Sequence, residues 1–308
     1  MRGSTRTLAR QICRVVAAVL LMAAGAGLRS VAVRAGSTGG GLPDDPTAHV
    51  ALFDVAGASS SASAVLLNPA AAAQLGRPLV AGWAVVPSAG SAPGHARPLY
   101  AAALLDPGTG GPGASLSGGL TGVFRRSGAD TPGDGELLRL AYTLAARMGS
   151  VALGARANWE RQLAGADPGQ QWSADVGFRT RLGAWLAVGG AIAGIPVGAS
   201  DLAARARRGS AGLTISFPGL AGGPLEGSLL AFGWDDADLE SAAGTTLVAS
   251  GRLAANRMVA LDAAAGYDPS TRQLGYWAVA LAVLPSPFGL EIGYSSSRSY
   301  RLGIDFQP

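Results

Sequence analysis

Apolar and polar residues alternate along most of the chain after residue 78, in runs of about ten residues. The last run, YRLGIDFQ, is the clearest, and its apolar positions are Tyr300, Leu302, Ile304 and Phe306. A period of two places neighbouring side chains on opposite faces of an extended strand. Similar runs recur upstream, each interrupted by Gly, Pro or Asp, and together they predict 12–14 β-strands.

Two architectures can bury one face of such strands. A soluble β-sandwich or propeller places the apolar face in its core, whereas a transmembrane barrel turns that face outward to lipid. The runs match the roughly 9–11 residues of a tilted membrane-spanning strand, and none is as long as the roughly 20 residues of a membrane-spanning helix. We therefore predict an all-β fold, a transmembrane antiparallel β-barrel of 12–14 strands, with a soluble secreted all-β protein as the alternative.

Aromatic residues near the strand ends favour the transmembrane barrel, because Trp and Tyr concentrate at the two membrane interfaces. We expect such a girdle to contain Trp83, Trp159, Trp172, Trp234, Tyr267, Tyr276, Tyr294 and Tyr300. Tight turns, such as 148–150, alternate with longer polar connections, such as 161–171. Short turns at one end and longer loops at the other are typical of these barrels.

The first 35 residues differ from the rest of the chain. A basic start without acids leads into the apolar run VVAAVLLMAAGAGL, and Val33-Arg34-Ala35 follows it. These are the three regions of a secretory signal peptide that ends in a small residue. A membrane anchor is the alternative, but this run is shorter than the roughly 20 residues that a spanning helix needs. We predict a cleaved signal peptide over residues 1–35.

The composition changes once the signal peptide is removed. Hydrophobic residues make up 48% of the chain and charged residues only 14%, whereas soluble domains carry about 25% charged residues. Six of the 24 arginines lie in residues 1–35, which leaves 18 arginines against 20 acids and a net charge of −2. A nucleic-acid partner is therefore not expected. The only cysteine, Cys13, leaves with the signal peptide, so the protein is not a disulfide scaffold.

Motifs for catalysis or cofactors are weak. Residues 108–113 fit the dinucleotide-binding pattern G-x-G-x-x-G, but Pro112 and the Asp106-Pro107 pair predict a loop instead of a strand followed by a helix. After residue 35 the histidines are His49 and His95, and neither G-x-S-x-G nor H-E-x-x-H occurs. We expect no catalytic residue, no metal site and no cofactor, and hence a protein that is not an enzyme.

Two charged clusters allow alternatives. Oxygen ligands in the acidic run could hold Ca²⁺, or the run could form an ordinary solvated loop or contact lipopolysaccharide; its members are Asp235, Asp236, Asp238 and Glu240. The basic cluster could attract an anion or a lipid phosphate, or could mark a strand that leaves the bilayer; it contains Arg205, Arg207 and Arg208.

Other charged residues fall on the polar face of the predicted strands, where they would point into the lumen. The strongest candidates are Arg156, Glu160, Asp175, Arg179, Glu291, Arg301 and Asp305, with Arg139, Arg147 and Asp262 beside them. We expect these side chains to pair across the lumen, because such pairs fill space in a small barrel and control permeation.

Residues 67–83, LNPAAAAQLGRPLVAGW, resemble the N-terminal signature of the FadL-like outer-membrane proteins. That family includes transporters of long-chain fatty acids and aromatic hydrocarbons, and the PorV/PorQ group. The matching residues are Asn68, Pro69, Ala70, Arg77 and Pro78. The preceding SSSASAVLL departs from the family pattern, and the chain is closer in length to the small PorV-like members. From the residues themselves we expect a short helix that Asn68 caps, that Pro69 begins and that Gly76 ends.

The resemblance implies an N-terminal hatch segment at 36–77 and an outer-membrane barrel at 78–308. It implies a channel or transporter for small hydrophobic compounds in the bacterial outer membrane, with a non-transporting structural or secretion-associated barrel as the alternative. Outer-membrane lipid, the barrel-assembly machinery and other envelope proteins are the implied partners. The last strand resembles the assembly signal of such barrels through Tyr300, Leu302, Ile304 and Phe306, although Gln307 and Pro308 follow it.

Overall fold

The computed structural model describes residues 50–51, 53–54, 61–88, 98–111, 114–126, 136–163, 169–197, 208–216, 228–236, 245–254, 258–283 and 287–307. Several predictions fall outside these ranges. They are the signal peptide at 1–35, the first part of the hatch segment, both histidines, and Pro112 and Gly113 of the G-x-G-x-x-G pattern. Arg205, Arg207, Asp238 and Glu240 also lie outside them.

Fourteen antiparallel strands form one closed barrel, in which every strand pairs with its sequence neighbours and β1 pairs with β14. The strands are β1 (Leu79–Pro87), β2 (Leu99–Gly111), β3 (Ala114–Arg125), β4 (Leu137–Met148), β5 (Val151–Gln162), β6 (Gln170–Leu182), β7 (Leu186–Pro196), β8 (Arg208–Ser216), β9 (Leu229–Asp236), β10 (Thr245–Ala254), β11 (Val259–Asp268), β12 (Gln273–Val283), β13 (Phe288–Ser295) and β14 (Ser299–Phe306). The predicted all-β barrel of 12–14 strands is confirmed.

The two faces of the strands are those of a transmembrane barrel. In β14 the side chains of Leu302 and Ile304 are 46% and 58% exposed on the outer face, whereas Arg301 is 3% exposed on the inner face. The same alternation of exposed apolar and buried polar residues recurs around the barrel. A soluble sandwich would have the reverse arrangement, so the fold is that of an outer-membrane barrel.

Most of the expected aromatic girdle lies on the outer face, but two of its residues do not. Trp83 and Tyr276 are buried inside the barrel. Trp83 lies beside Gly303 of β14, and Tyr276 covers Gly266 of β11, where an added Cβ would overlap the tyrosine ring. A ring laid over a glycine shields the sheet backbone that this residue leaves bare. The prediction was wrong for these two because closeness to a strand end does not determine the side of the sheet.

The connections differ between the two ends of the barrel. At the end where β1 begins, here called the turn end, they are short except for one, and they are 112–113, 149–150, 183–185, 217–228, 255–258 and 284–287. At the opposite end, here called the loop end, most are longer, and they are 88–98, 126–136, 163–169, 197–207, 237–244, 269–272 and 296–298. In outer-membrane barrels the short turns face the periplasm and the long loops face outward.

The loop predicted over residues 108–113 is wrong for its first part. Residues 108–111 belong to β2, and the register of β2 with β3 shifts between Asp106 and Thr109. Gly108 has φ of 76°, and a Cβ there would overlap the Leu116 carbonyl. A strand can therefore contain Pro107 when a bulge and a glycine absorb the irregularity.

Two short helices lie inside the barrel, within residues 61–75, which are called the plug below. The helix α1 comprises Ala64–Leu67, and a 3₁₀ helix comprises Pro69–Gln74. The 3₁₀ helix contacts β2, β3, β4, β5 and β6. It ends at Gln74 with an extended Leu75 as C-cap, and Gly76, which was expected to end the helix, follows that cap directly. Among the described residues, no helix has the length and hydrophobicity needed to cross a bilayer.

Candidate functional site

The plug packs on an apolar part of the inner wall. Its buried residues form one cluster with the inward side chains of β1 and β2, and this wall surface consists of Leu79, Ala81, Trp83, Val85, Leu99, Ala101, Ala103 and Leu105. Strands β1 and β2 are therefore apolar on both faces, because their outer face carries the apolar residues expected to face lipid and their inner face packs against the plug. This double burial explains why their alternation in the sequence is weak.

Asn68 joins the two helices of the plug and anchors them to the wall. Its Oδ1 accepts a hydrogen bond from the Ala70 amide at 2.9 Å, which caps the 3₁₀ helix that Pro69 begins. Its Nδ2 donates to the carbonyls of Phe178 in β6 and Gly190 in β7, at 3.0 and 3.3 Å. One buried amide side chain therefore fixes the start of the helix and its position against the barrel.

Two glycines on the inner face form a seat for the start of the 3₁₀ helix. Gly154 of β5 and Gly177 of β6 are register partners. A Cβ added to Gly154 would lie 2.7 Å from Ala70 Cα, and one added to Gly177 would lie 3.0 Å from Asn68 Cγ. A Cβ at Gly154 would meet backbone atoms, and one at Gly177 would meet the side chains of Asn68 and Pro69. Glycine at these two positions therefore lets the plug approach the wall.

Arg156 connects the plug to a bulge in the wall. Its Nη1 donates to the Val65 carbonyl of α1 at 2.9 Å, and its Nε donates to Asp175 Oδ2 at 2.7 Å. Asp175 Oδ1 accepts a hydrogen bond from the Gly194 amide at 2.8 Å, where the register of β6 with β7 shifts. Both side chains are buried, so this charged pair joins α1, β5, β6 and β7 in one network.

Four more ion pairs within the described residues join neighbouring strands, and the expectation of pairing across the lumen is wrong for Arg139, Glu160, Asp262, Glu291 and Arg301. The pairs are Arg139–Glu160, Arg208–Asp235, Arg252–Asp262 and Glu291–Arg301. Arg139–Glu160 and Arg252–Asp262 are direct register partners, about 5 Å apart, and the other two pairs are diagonal neighbours, about 7–8 Å apart. An arginine therefore meets the carboxylate of the next strand before it reaches the far wall. Arg139 Nε, for example, lies 2.9 Å from Glu160 Oε2.

A second part of the N-terminal segment, Phe53-Asp54, also lies inside the barrel. Asp54 is buried and accepts hydrogen bonds from the hydroxyls of Ser61, at 2.7 Å, and Ser63. These bonds tie Asp54 to the residues that lead into α1. The Phe53 ring lies 5.2 Å from the Arg301 guanidinium.

The other predicted site residues fall in different environments. Arg179 is buried on the inner face of β6, and Asp305 lies over Gly289 on the inner face at the turn end. Arg77 and Pro78 are exposed where the chain leaves the plug to begin β1. The motif that resembles the FadL-like family therefore divides, with Asn68, Pro69 and Ala70 inside the barrel and Arg77-Pro78 at its edge.

The C-terminal residues close the barrel. Tyr300, Leu302 and Ile304 are exposed on the outer face of β14, and Phe306 packs its ring 4.9 Å from that of Phe288. Tyr300 and Tyr294 form a second aromatic contact, with ring centroids 5.2 Å apart. Because β14 runs from the loop end to the turn end, these two aromatic groups lie at opposite ends of the outer face, as interfacial girdles do.

The acidic and basic clusters are partly accounted for by one ion pair. Arg208, at the start of β8, pairs with Asp235 near the end of β9. Within the part of the chain that the structure describes, no group of three or more His, Cys, Asp or Glu side chains is arranged to hold a metal ion.

The fold is similar to that of several solved structures. The toluene transporter TbuX of Ralstonia pickettii has a TM-score of 0.56 and 11% identity, over 87% of this chain and 98% of that chain. The monoaromatic hydrocarbon channel CymD has a TM-score of 0.52 and 12% identity, over 86% and 95% of the two chains. The deltaS2S3 mutant of the monoaromatic hydrocarbon channel TodX has a TM-score of 0.53 and 12% identity, over 87% and 97%.

This chain has the FadL-like barrel fold. The fold predicted from residues 67–83 is thus supported by structures of FadL-family hydrocarbon transporters. At identities near 12% the likeness concerns the fold alone. No protein-family model and no curated protein matches the sequence.

The sequence did not point to Gly154, Gly177 or Asp54 as residues of the site. Gly154 and Gly177 appear in the sequence only as small residues on the polar face of two strands. Their pairing becomes visible once the register of β5 with β6 is known. Asp54 lies in a stretch rich in small residues, and its serine partners are seven and nine residues further along the chain.

Replacement of Asn68 by alanine is expected to loosen the plug, because it removes the helix cap and both hydrogen bonds to the wall. Loss of an N-cap alone costs about 1 kcal/mol. Ala71 is buried in the 3₁₀ helix, and Asn68→Ala should raise the maleimide labelling rate of an Ala71→Cys reporter by about tenfold. The variant Asn68→Ser keeps a capping oxygen and serves as the control. Equal rates in Asn68→Ala and the unsubstituted reporter protein would show that the Asn68 contacts do not hold the plug.

Proposed function

We propose that this protein is a transporter for small hydrophobic compounds in the bacterial outer membrane, and that the hatch segment 36–77 blocks its lumen at rest. The single observation that carries the proposal is the plug, which is buried in the barrel and hydrogen-bonded to the wall through Asn68 and Arg156. A substrate passes only when the plug shifts. The few polar contacts and the apolar surface shared with β1 and β2 allow a hydrophobic compound to compete for this space.

Outer-membrane lipid would surround the apolar outer face, and the strand β14 would serve as the barrel-assembly signal through Tyr300, Leu302, Ile304 and Phe306. Their exposure on the closing strand supports this role. The similar solved structures named as hydrocarbon channels support the choice of substrate class.

A non-transporting structural or secretion-associated barrel, of the PorV type, is the second candidate. The observation that favours it is the inner wall, where ion pairs between neighbouring strands bury Arg139, Glu160, Arg156 and Asp175, and where the plug packs against Arg156. Such a lumen could be filled permanently, with the outer surface or the loops as the functional part.

Uptake of radiolabelled toluene by cells that export the protein separates these candidates. For a transporter, we expect saturable uptake above that of cells that carry an unrelated barrel. A variant that lacks residues 36–77 but keeps residues 1–35 should also conduct ions in planar bilayers, whereas the full chain should remain closed. Heat-modifiable migration on a gel checks that both proteins have assembled. Toluene uptake equal to that of the unrelated barrel would favour the non-transporting candidate.

A further inference from the structure

The Phe53 ring lies on strands of the barrel other than those that seat the 3₁₀ helix. It packs against the cluster formed by Ala264, Tyr276 and Ala278 of β11 and β12. Its Cε2 would be 3.6 Å from a Cβ added at Gly293 of β13, which is ordinary van der Waals contact. These four wall residues, three of them small, form a surface that is called the ring seat below.

Arg301 of β14 completes the ring seat. Gly293 is its direct register partner, and its guanidinium Cζ lies 5.2 Å from the centre of the Phe53 ring, within the range of a cation–π contact. The Arg301 side chain is 4% exposed and pairs with Glu291. A guanidinium can bind a carboxylate through its N–H groups while an aromatic ring stacks on its face. The ion pair therefore leaves Arg301 able to hold a ring.

The buried guanidinium is also incompletely satisfied. Among the described residues, Arg301 Nε has no hydrogen-bond partner. A buried polar group without a partner is unfavourable, and a cation–π contact is stronger where water is excluded. If Phe53 leaves the ring seat, the guanidinium loses its ring, and an incoming aromatic ring can replace it. A saturated ring of the same size fills the same volume but offers no π electrons to the cation.

We propose that the ring seat is a ligand subsite that Phe53 fills at rest, and that Arg301 makes this subsite select aromatic rings over saturated rings of the same size. Phe53 is then an internal competitor of the ligand. The inference deepens the proposed transport function by assigning it an aromatic class of compound. It rests on that function, because a ligand reaches the ring seat only through the lumen.

Titration calorimetry on the assembled protein in detergent tests this selection with three neutral alcohols. Benzyl alcohol carries an aromatic ring, cyclohexylmethanol carries a saturated ring of similar size, and the fluorines of pentafluorobenzyl alcohol remove the negative charge from the ring face. The wild type should bind benzyl alcohol about tenfold more tightly than the other two. Phe53→Ala should raise the affinity for benzyl alcohol by a further factor of about ten, because the internal competitor is gone.

Further variants in the Phe53→Ala background locate the effect. Glu291→Gln/Arg301→Gln removes both charges of the pair, so that neither is left unpaired, and should abolish the preference for benzyl alcohol. Gly293→Val should weaken the binding of all three alcohols. The matched control for Phe53→Ala is Phe232→Ala, which removes a phenyl ring from the outer face of β9 and should bind like the wild type. Heat-modifiable migration confirms that each variant is an assembled barrel.

The outcomes distinguish this inference from the proposed function. If the wild type does not bind benzyl alcohol or binds the three alcohols equally, the inference is refuted even where toluene uptake is observed. It is also refuted if the preference survives the loss of Arg301, or if Phe53→Ala gains equally for all three alcohols, since the deleted ring then leaves only an unselective cavity. If the expected preference is found without toluene uptake, the subsite stands and hydrocarbon transport falls.

Discussion

Replacement of Gly154 by leucine is expected to displace the plug and open the lumen. The glycine faces the first turn of the 3₁₀ helix, and even a Cβ would lie 2.7 Å from Ala70 Cα and closer still to Ala70 N. The atoms in the way are backbone, so the clash cannot be relieved by rotation of a side chain. Overpacking of this kind costs about 1–3 kcal/mol. The wall is held by two neighbouring strands, so the plug is the part that moves.

The displacement is measured as the maleimide labelling rate of an Ala71→Cys reporter, since the only native cysteine is Cys13 in the predicted signal peptide. A cost of 1–3 kcal/mol corresponds to a rate increase of roughly 5- to 150-fold. Ion conductance in planar bilayers should rise in parallel. Gly122→Leu is the control, because a Cβ there has Leu140 Cδ2 at 3.5 Å as its nearest neighbour. A closed, unlabelled barrel in Gly154→Leu would mean that the plug is not seated on this glycine.

Replacement of Arg156 by glutamine is expected to destabilise both the barrel and the position of the plug. Arg156 and Asp175 have side chains that are each 3% exposed, and their ion pair also holds the Val65 carbonyl and the Gly194 amide. Removal of one member of a buried pair leaves the other charge uncompensated, which costs about 3–5 kcal/mol. We therefore expect a large decrease in the urea midpoint of unfolding, measured from the loss of heat-modifiable migration.

The effect should depend on burial. Arg252→Gln removes a comparable pair with Asp262, but the Arg252 side chain is 27% exposed, so water can replace part of the lost contact and the decrease should be smaller. The double variant Arg156→Gln/Asp175→Asn should recover part of the loss, since it leaves no buried charge unpaired. Purely additive effects of the two substitutions would contradict the coupling between these residues.

The alternation of apolar and polar positions was sufficient to predict much of the fold. The pattern around Arg301 and Leu302 in β14 is repeated in enough strands to predict 12–14 of them, and fourteen are present. Successive residues of a membrane-spanning strand face lipid and the polar lumen alternately, so the two faces of the strand can be recognised in its sequence. The pattern is weak only where this rule does not hold, as in β1 and β2, whose inner face meets the apolar plug.

The start of the 3₁₀ helix in the plug could also be predicted from the sequence. Asn68 followed by Pro69 predicts a capped helix start, and the structure contains that cap and that first residue. These features depend on the backbone of adjacent residues, which is why the local sequence suffices to predict them.

Only the tertiary structure determined which distant residues meet. Gly154 and Gly177 form the seat of the plug because β5 and β6 pair in one register, and a shift of β6 by one residue against β5 would turn Gly177 to the lipid. Arg156 meets Asp175 on the next strand instead of a carboxylate across the lumen. Phe53 meets Arg301 of β14 only because the barrel closes around the N-terminal segment. The periodicity of the sequence determines on which face of the sheet a side chain lies. The strand register, the closure of the barrel and the path of the plug determine which distant residues that side chain contacts.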